Sequence, residues 1–502
     1  MSITRSFGLA ASSCVRAATS ARLVKAGATH KKALWTAATS SHPDLATAVA
    51  QCLSPPSSSS SSSLASPLSS QAKSQLKASV TIVLASRSYP GSDLLTLPSK
   101  IPDSISQSSF ILGAVVDRVP TESGHGVSTL TLSPDKASLS DSTLDRIVSC
   151  QPFFLSSAES RRKRLKEKSV GKWARSQDIE ERSLDTADAW ASFKSISIGQ
   201  NQVQVPDSAL PPPSSPAHGQ EHDVSQDIMI LSDLEVHQFL EALDTANPSA
   251  SKTGLLASST PFITGKPVTM YYDGKVVQDG VLGVSVVRET IASSSDRSED
   301  ARNRRPTLTT LEYPSLAPLG PAMQITKCRG NIILELNDSN ATRLLLERLQ
   351  STTLTKDKEY FLATGEPTKA KDSQEFNVNM KEAMVYKITG GDPSKGNMAV
   401  DTVHDLNVGQ WVQFNHHDRS ADNGHYDPSL QNGLQGMTRF TTTDPNSTLE
   451  QSDKRPVQGD GSVQSIFGGS SENGFIIGQS KGQTWVCTVT DSILKHGPSK
   501  KI

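Results

Sequence analysis

Apolar positions along this chain come as short unbroken runs set in long polar stretches, and the runs predict strands more often than helices. Val80 to Ala85, VTIVLA, is a β-branched run of the kind that sits buried on both faces of a sheet. Helical potential follows around Gly91 to Leu97, Pro98 and Pro102 break it, and Phe110 to Val116, FILGAVV, supplies a second buried strand. That order suits a strand-crossover-strand unit. The same grammar returns downstream. Asp227 to Leu231, DIMIL, leads into a helix capped by Ser232, with Glu235 completing a capping box and Leu234, Phe239, Leu240 and Leu243 on its apolar side, and Gly254 to Ser258, GLLAS, closes the unit.

The stretch 152–225 between the two units carries a basic run and Pro211-Pro212-Pro213 and reads mostly as an insertion loop, with Trp173 and Trp190 marking local packing. Asp273-Gly274, between Met270 to Tyr272 and Lys275 to Val277, suits the positive φ values of a type I′ hairpin, and Gly280 to Val287 reads as the next partner strand. Further on, Asn331 to Leu336 predicts a strand, Asp338-Ser339-Asn340 a cap, and Ala341 to Gln350 a helix burying Leu344, Leu345, Leu346 and Leu349. Strands are expected at Glu382 to Thr389, Gly409 to Phe414 and Thr484 to Val489. Gly390 to Pro393 and residues 419–460 read as loops, and the final seven residues as unstructured.

Composition narrows the class. With 502 residues, 50 basic and 51 acidic, the formal charge of -1 argues for neither nucleic acid nor an anionic membrane surface. Hydrophobic content of 35% and aromatic content of 5% imply that a good part of the chain is linker. No apolar run approaches the ~18 residues of a membrane-spanning helix. Five scattered cysteines without a CxxC pair indicate neither a disulfide framework nor a zinc knuckle. Residues 1–43 hold Arg5, Arg16, Arg22, Lys25, Lys31 and Lys32 and no acid, which is the composition of a mitochondrial presequence, and 44–79, with Ser57 to Ser63, reads as a tether. A matrix location is expected, with a cytoplasmic or nuclear one as the alternative, the latter through Arg161 to Lys168, RRKRLKEK.

Candidate chemistry is sparse. His416, His417, Asp418, His425 and Asp427 are metal-ligand types, but adjacent histidines on a strand end point to opposite faces, so no metal is expected. Gly390 to Gly396 lacks the spacing of a phosphate loop. Cys487 lies in the apolar run TWVCTV and reads as packing rather than a nucleophile. No catalytic residues and no cofactor are expected, and the chain reads as a non-enzyme. The best candidate for contact with a ligand is the glycine-rich corner SIFGGSSENGFIIG, Ser465 to Gly478. Gly468 and Gly469 can take positive φ and admit close backbone approach, and Ser471, Glu472, Asn473 and Gly474 place a hydroxyl, an acid and an amide in one turn. The Gly391-Asp392 loop is expected to line the same pocket, and the alternative is a plain turn between edge strands.

Several pieces then match one family in order: TIVLASRSYP and FILGAVV, DIMILSDLEVHQFLEAL and GLLASS, GKPVTMYYDGKVVQDGVLGVSVV, ITKCRGNIILELNDSNATRLLLERL, ITGGDPSKGNMAV and IFGGSSENGFIIG. The chain resembles the FIST module of signal-transduction proteins, with an N-terminal half at 80–290, a linker at 291–309, a C-terminal half at 310–490 and a tail at 491–502. The resemblance implies an α+β (mixed α/β) fold of two halves on mixed sheets with flanking helices. It also implies a small-ligand-binding sensor whose ligands are amino acids or related metabolites. No catalytic set transfers. The alternative is an interaction adaptor with a protein partner, related to F-box/FIST ubiquitin-ligase components, although 1–79 shows no leucine-rich three-helix pattern. A further alternative makes Glu472 the acid or base of an enzyme.

Overall fold

The computed structural model describes residues 35–54, 79–134, 137–139, 143–156, 222–234, 236–292, 307–350, 359–369, 375–402, 404–417, 438–443, 463–478 and 483–498. The fold is α+β. The chain begins with β1 (Trp35–Ser40) and α1 (Leu45–Leu53), then β2 (Ser79–Ser86), α2 (Gly91–Leu95), α3 (Leu97–Lys100), α4 (Asp103–Ser108), β3 (Ser109–Val116) and β4 (Val127–Leu132). A second unit holds β5 (Ala137–Leu139), β6 (Thr143–Leu155), β7 (His222–Ser232), α5 (His237–Ala246), β8 (Ser251–Leu256), α6 (Pro261–Thr264), β9 (Met270–Tyr272), β10 (Lys275–Val277) and β11 (Val281–Ala292). Next come β12 (Thr307–Glu312), β13 (Leu316–Pro318), β14 (Met323–Arg329), β15 (Ile332–Leu336), β16 (Ser339–Asn340), α7 (Ala341–Gln350), β17 (Tyr360–Thr364), β18 (Pro367–Lys369) and β19 (Phe376–Val378). The last elements are β20 (Met384–Asp392), β21 (Asn397–Val400), β22 (Trp411–His417), β23 (Thr438–Thr442), β24 (Val463–Gln464), β25 (Phe467–Ser471), β26 (Phe475–Gly478), β27 (Trp485–Cys487) and β28 (Ile493–Pro498).

Two seven-stranded sheets carry the α/β part, in the orders β10-β9-β3-β2-β4-β1-β24 and β27-β26-β8-β7-β11-β6-β5. Each is built on one parallel pair, β2 with β3 and β7 with β8, so both crossovers expected from the apolar runs are present. Burial explains the layering. In β2, Val80, Ile82 and Leu84 face a large core shared with Leu231, Leu255 and Leu282 of the second sheet, while Val83 and Ala85 face Leu45, Val49, Leu94 and Leu97 of the helices. On the second sheet, Ile228, Ile230 and Leu256 pack against Phe239, Leu240 and Leu243 of α5. Helices therefore cover the outer face of each sheet, and the inner faces meet.

The two sheets repeat one design in detail. Gly126 before β4 (φ 136) and Gly280 before β11 (φ 98) occupy corresponding places. A Cβ there would sit 2.0 Å from Ser40 O and 2.2 Å from Leu155 O respectively, and each glycine's carbonyl accepts a backbone N–H at 3.0 Å, from Ser86 and from Asp233. A positive φ and a contact this close admit glycine alone.

Residues 307–417 form a second body. There β22-β14-β15-β21-β20-β17 is an antiparallel ladder whose last strand pairs back to β22, closing a barrel with Ile325, Ile333, Phe414 and Met398 buried. A closed ladder leaves no edge to protect. A third sheet, β12-β28-β23-β25, joins the two bodies.

Local expectations survive better than partnerships. The hairpin β9–β10 has Asp273 (φ 43) and Gly274 (φ 82) in its turn, as type I′ requires. The strand after it, β11, does not join that hairpin but pairs with β7 and β6 in the other sheet. Ser232 is not a helix cap. It ends β7, its hydroxyl donates to Gly280 O at 3.4 Å, and α5 starts only at His237, leaving Leu234 53% exposed. Glu235 lies outside the described residues. The expected helix at 341–350 is α7, capped by Asn340 Oδ1 accepting Arg343 N–H at 2.9 Å, but Leu346 is on its exposed side.

Several stretches read as loop or linker are ordered. Residues 35–54, assigned from composition to the presequence and tether, hold β1 and α1, whose Leu45, Ala48, Val49 and Cys52 are buried. Small residues can pack where a sheet supplies the partner, and β1 lies along β4 from Trp35 to Ser40. In the same way β6 enters the 152–225 insertion, β23 lies within 419–460, and β28 extends into the final seven residues because β12 and β23 flank it. Residues 1–34 and 157–221, with the basic run, the proline run, Trp173 and Trp190, lie outside the described residues.

Candidate functional site

The SENG turn joins β25 to β26 where the carboxyl ends of both parallel pairs converge. After β2 come Arg87 and Ser88, after β3 Asp117 and Arg118, and after β8 Ala257, Ser258 and Ser259. The two seven-stranded sheets are stitched there by Ser258 N–H donating to Val115 O at 3.0 Å, and Asp117 N–H donates to Ser470 O of β25, in the third sheet, at 2.8 Å. Crevices outside the carboxyl ends of such strands are the usual ligand sites of open α/β sheets.

The turn is held by all of these ends. Glu472 N–H donates to Asp117 Oδ2 at 2.8 Å, and Ser259 N–H donates to Glu472 Oε1 at 2.8 Å. Asn473 Nδ2 donates to Ala257 O at 2.8 Å, and Gly474 O accepts Leu256 N–H at 3.0 Å. Thr443, just past β23, donates its hydroxyl to Asp117 Oδ2. Arg87 Nη1 lies 2.9 Å from Asp117 Oδ1, close enough for an ion pair though out of line for a hydrogen bond. Glu472 Oε2 is buried with no hydrogen-bond partner among the described residues.

Burial, then the neighbouring Glu472 carboxylate, push the Asp117 carboxyl up to about 7, against the pull of Arg87. Burial alone would raise Glu472 as well, but hydrogen bonding from Asp117 and from Ser259 N–H, with Arg87 nearby, holds it below the usual carboxylate range. The pair therefore carries one proton near neutrality. Between the carboxylate range of the unfolded chain and pH 7 the folded protein binds more protons at Asp117 than the unfolded one, so this group makes stability fall as pH rises through that window. Asp117→Asn is expected to flatten the fall in unfolding free energy between pH 5 and 8 by about 2 kcal/mol. Thermal denaturation of both proteins across that range checks it, and parallel slopes count against the pair.

The expected site residues divide. Ser471, Glu472, Asn473 and Gly474 gather at the corner, Ser471 with its hydroxyl 3.4 Å from that of Ser258 and Gly474 at φ 104. Gly468 and Gly469 are buried in extended β25 and do not use positive φ. They are glycines for packing: a Cβ on Gly468 would lie 2.0 Å from Arg439 O, and one on Gly469 would meet Leu84, Leu255 and Val116 of the two sheets. Gly391 and Asp392 are not near the turn. They end β20 at the barrel, where Gly391 faces Thr342 and Asp392 Oδ1 accepts Ser394 N–H at 2.9 Å.

Other candidates stay apart. His416 is buried, His417 faces Asp491 at 3.5 Å, and Asp418, His425 and Asp427 lie outside the described residues. Burial pushes the Cys487 thiol up to about 12, which leaves it without nucleophilic thiolate at neutral pH. An apolar cleft of ≈ 450 Å³ lined by Leu311, Tyr313, Pro318, Val378 and Met380 belongs to the barrel and its flanking strands, and none of the corner residues lines it.

Arg87, Asp117 and Ser259 were missed in the sequence. The available signal is the first polar residue after each buried run: Arg87 follows VTIVLAS, Asp117 follows FILGAVV and Ser259 follows GLLAS. None of the curated proteins searched matches the chain. Residues 153–339 match the family described as FIST N domain, a stretch that takes in β7, β8, β11 and the first barrel strands, and includes Ser259 but not Arg87, Asp117 or Glu472. Over that stretch the chain carries a FIST N domain, a sensor-type domain of signal transduction.

Proposed function

We propose that the protein is a non-enzymatic sensor that binds a small ligand at the Arg87–Asp117–Glu472 corner, with amino acids or related metabolites as the ligand class. The observation that carries this reading is Glu472 Oε2, a buried acceptor without a partner among the described residues, at a corner that also holds a guanidinium. A buried acceptor left unmade costs about 1–3 kcal/mol, which a ligand donor would recover. Arg87 suits a carboxylate and Glu472 an ammonium group, the two ends of an amino acid.

The test is a thermal-shift screen of the full chain against the amino acids and related metabolites at millimolar concentration. Stabilisation is expected from at least one, by mass action, and its loss in Glu472→Ala. A screen without any shift sinks the reading. We also place the protein in the mitochondrial matrix, on the acid-free composition of 1–43, with any cleavage point ahead of β1. Failure of residues 1–34 to carry a reporter into mitochondria would reverse that assignment.

A further inference from the structure

Among the described residues, the Asp117 and Glu472 carboxyls meet the Arg87 guanidinium at the corner, and these three groups are one positive charge short of neutrality when both acids are ionised. Asp117 spends Oδ2 on Glu472 N–H and Thr443 and turns Oδ1 to Arg87, while Glu472 spends Oε1 on Ser259 N–H and keeps Oε2 without a hydrogen-bond partner among the described residues. We propose that the ligand supplies the missing charge as a primary ammonium group seated against Glu472 Oε2, and that without ligand a proton shared by Asp117 and Glu472 takes its place, so that binding expels that proton.

This deepens the sensor reading and rests on it. The groups around the pair come from several adjoining ends: Arg87 after β2, Asp117 itself after β3, Ser259 after β8 and Thr443 after β23. The Arg118 side chain runs across Gly124, whose added Cβ would lie 2.7 Å from its Cδ. His125 is engaged by Ser88 Oγ at 2.6 Å, and burial pushes it below the usual histidine range. A divalent cation fits poorly. Arg87 stands against it, and among the described residues no cluster of three metal-ligating side chains exists. An ammonium group needs no fixed coordination shell and brings three donors to acceptors already in place.

In the exchange, an R–NH3+ ligand enters, the proton leaves to solvent, and both carboxylates end ionised, with no covalent bond made or broken. The two partners differ in exposure: the Asp117 side chain is closed to solvent, whereas that of Arg87 is 25% exposed.

The experiment titrates the full chain with methylammonium chloride from pH 5 to 8, using sodium chloride and methanol as controls and thermal stabilisation as the readout. Apparent affinity is expected to rise about tenfold per pH unit below neutrality and to level off above about pH 7. Glu472→Gln, which keeps the oxygen facing Ser259, is expected to lose the effect. Calorimetry in buffers of different ionisation enthalpy should register one proton released below neutrality. Stabilisation that is flat with pH overturns the proton exchange but leaves the sensor reading. Amino acids that stabilise the protein while methylammonium does not, at pH 8, overturn the ammonium seat. Silence from every probe sinks the site and this inference together.

Discussion

Gly468→Ala is expected to destabilise the protein by about 3 kcal/mol or more, the upper range for overpacking a rigid site. The added methyl would lie 2.0 Å from Arg439 O, an atom of the neighbouring strand backbone that cannot rotate away. β25 runs parallel to β23 with Gly468 opposite Arg439, and Gly468 N–H also donates to Ser128 Oγ at 3.0 Å, so the strand cannot retreat without breaking both neighbours. Gly469→Ala meets only side chains, Leu84 at 3.1 Å and Leu255 and Val116 at 3.3 Å, and is expected to cost about 1 kcal/mol. Urea denaturation of the two variants separates packing from ligand contact. A Gly468→Ala protein of native stability that has lost only ligand response would return these glycines to the role the sequence first indicates.

Asp244→Ala is expected to cost about 3–5 kcal/mol, the penalty for stranding a buried charge. Lys252, in β8, is fully buried with its Nζ 2.9 Å from Asp244 Oδ1 of α5. Asp244 also accepts Thr484 N–H at 2.6 Å, so one carboxylate ties the helix, the parallel pair and the hairpin that follows the SENG turn. Without it the buried lysine loses its ion-pair partner. Adding Lys252→Met removes that charge at similar volume, and the double variant is expected to recover most of the loss, short of the hydrogen bonds to Thr484. Equal denaturation midpoints for the single and double variants would show that the ion pair carries little.

Both variants bear on the site, since Gly468 lies in β25 and Asp244 holds β8 and the segment after β26, all of which lead to or from the corner. The turn itself was legible: SSENG between apolar runs reads as a corner, and Ser471 to Gly474 are found there together. Its partners were not. Glu472 and Asp117 are 355 positions apart, and nothing local to either marks the other. The pairing of Gly391-Asp392 with the turn failed for the complementary reason. Two glycine-rich loops look alike in sequence, but one ends a barrel strand and the other closes two sheets.

What the sequence determined by itself was local: the buried runs that become β2, β3, β7 and β8, the Asp273-Gly274 hairpin, the helix at 341–350 and the mixed α+β class. These depend on propensity and on which side chains must leave water, and both are read within a few residues. Tertiary structure alone decided that β11 crosses to the second sheet, that residues 35–53 are ordered, that Gly468 is glycine for the sake of Arg439 O, and that Asp117 and Glu472 meet at one corner. Strand partnership is chosen by the burial of whole faces. A run of apolar residues states that it must be covered, and only the assembled sheets say by what.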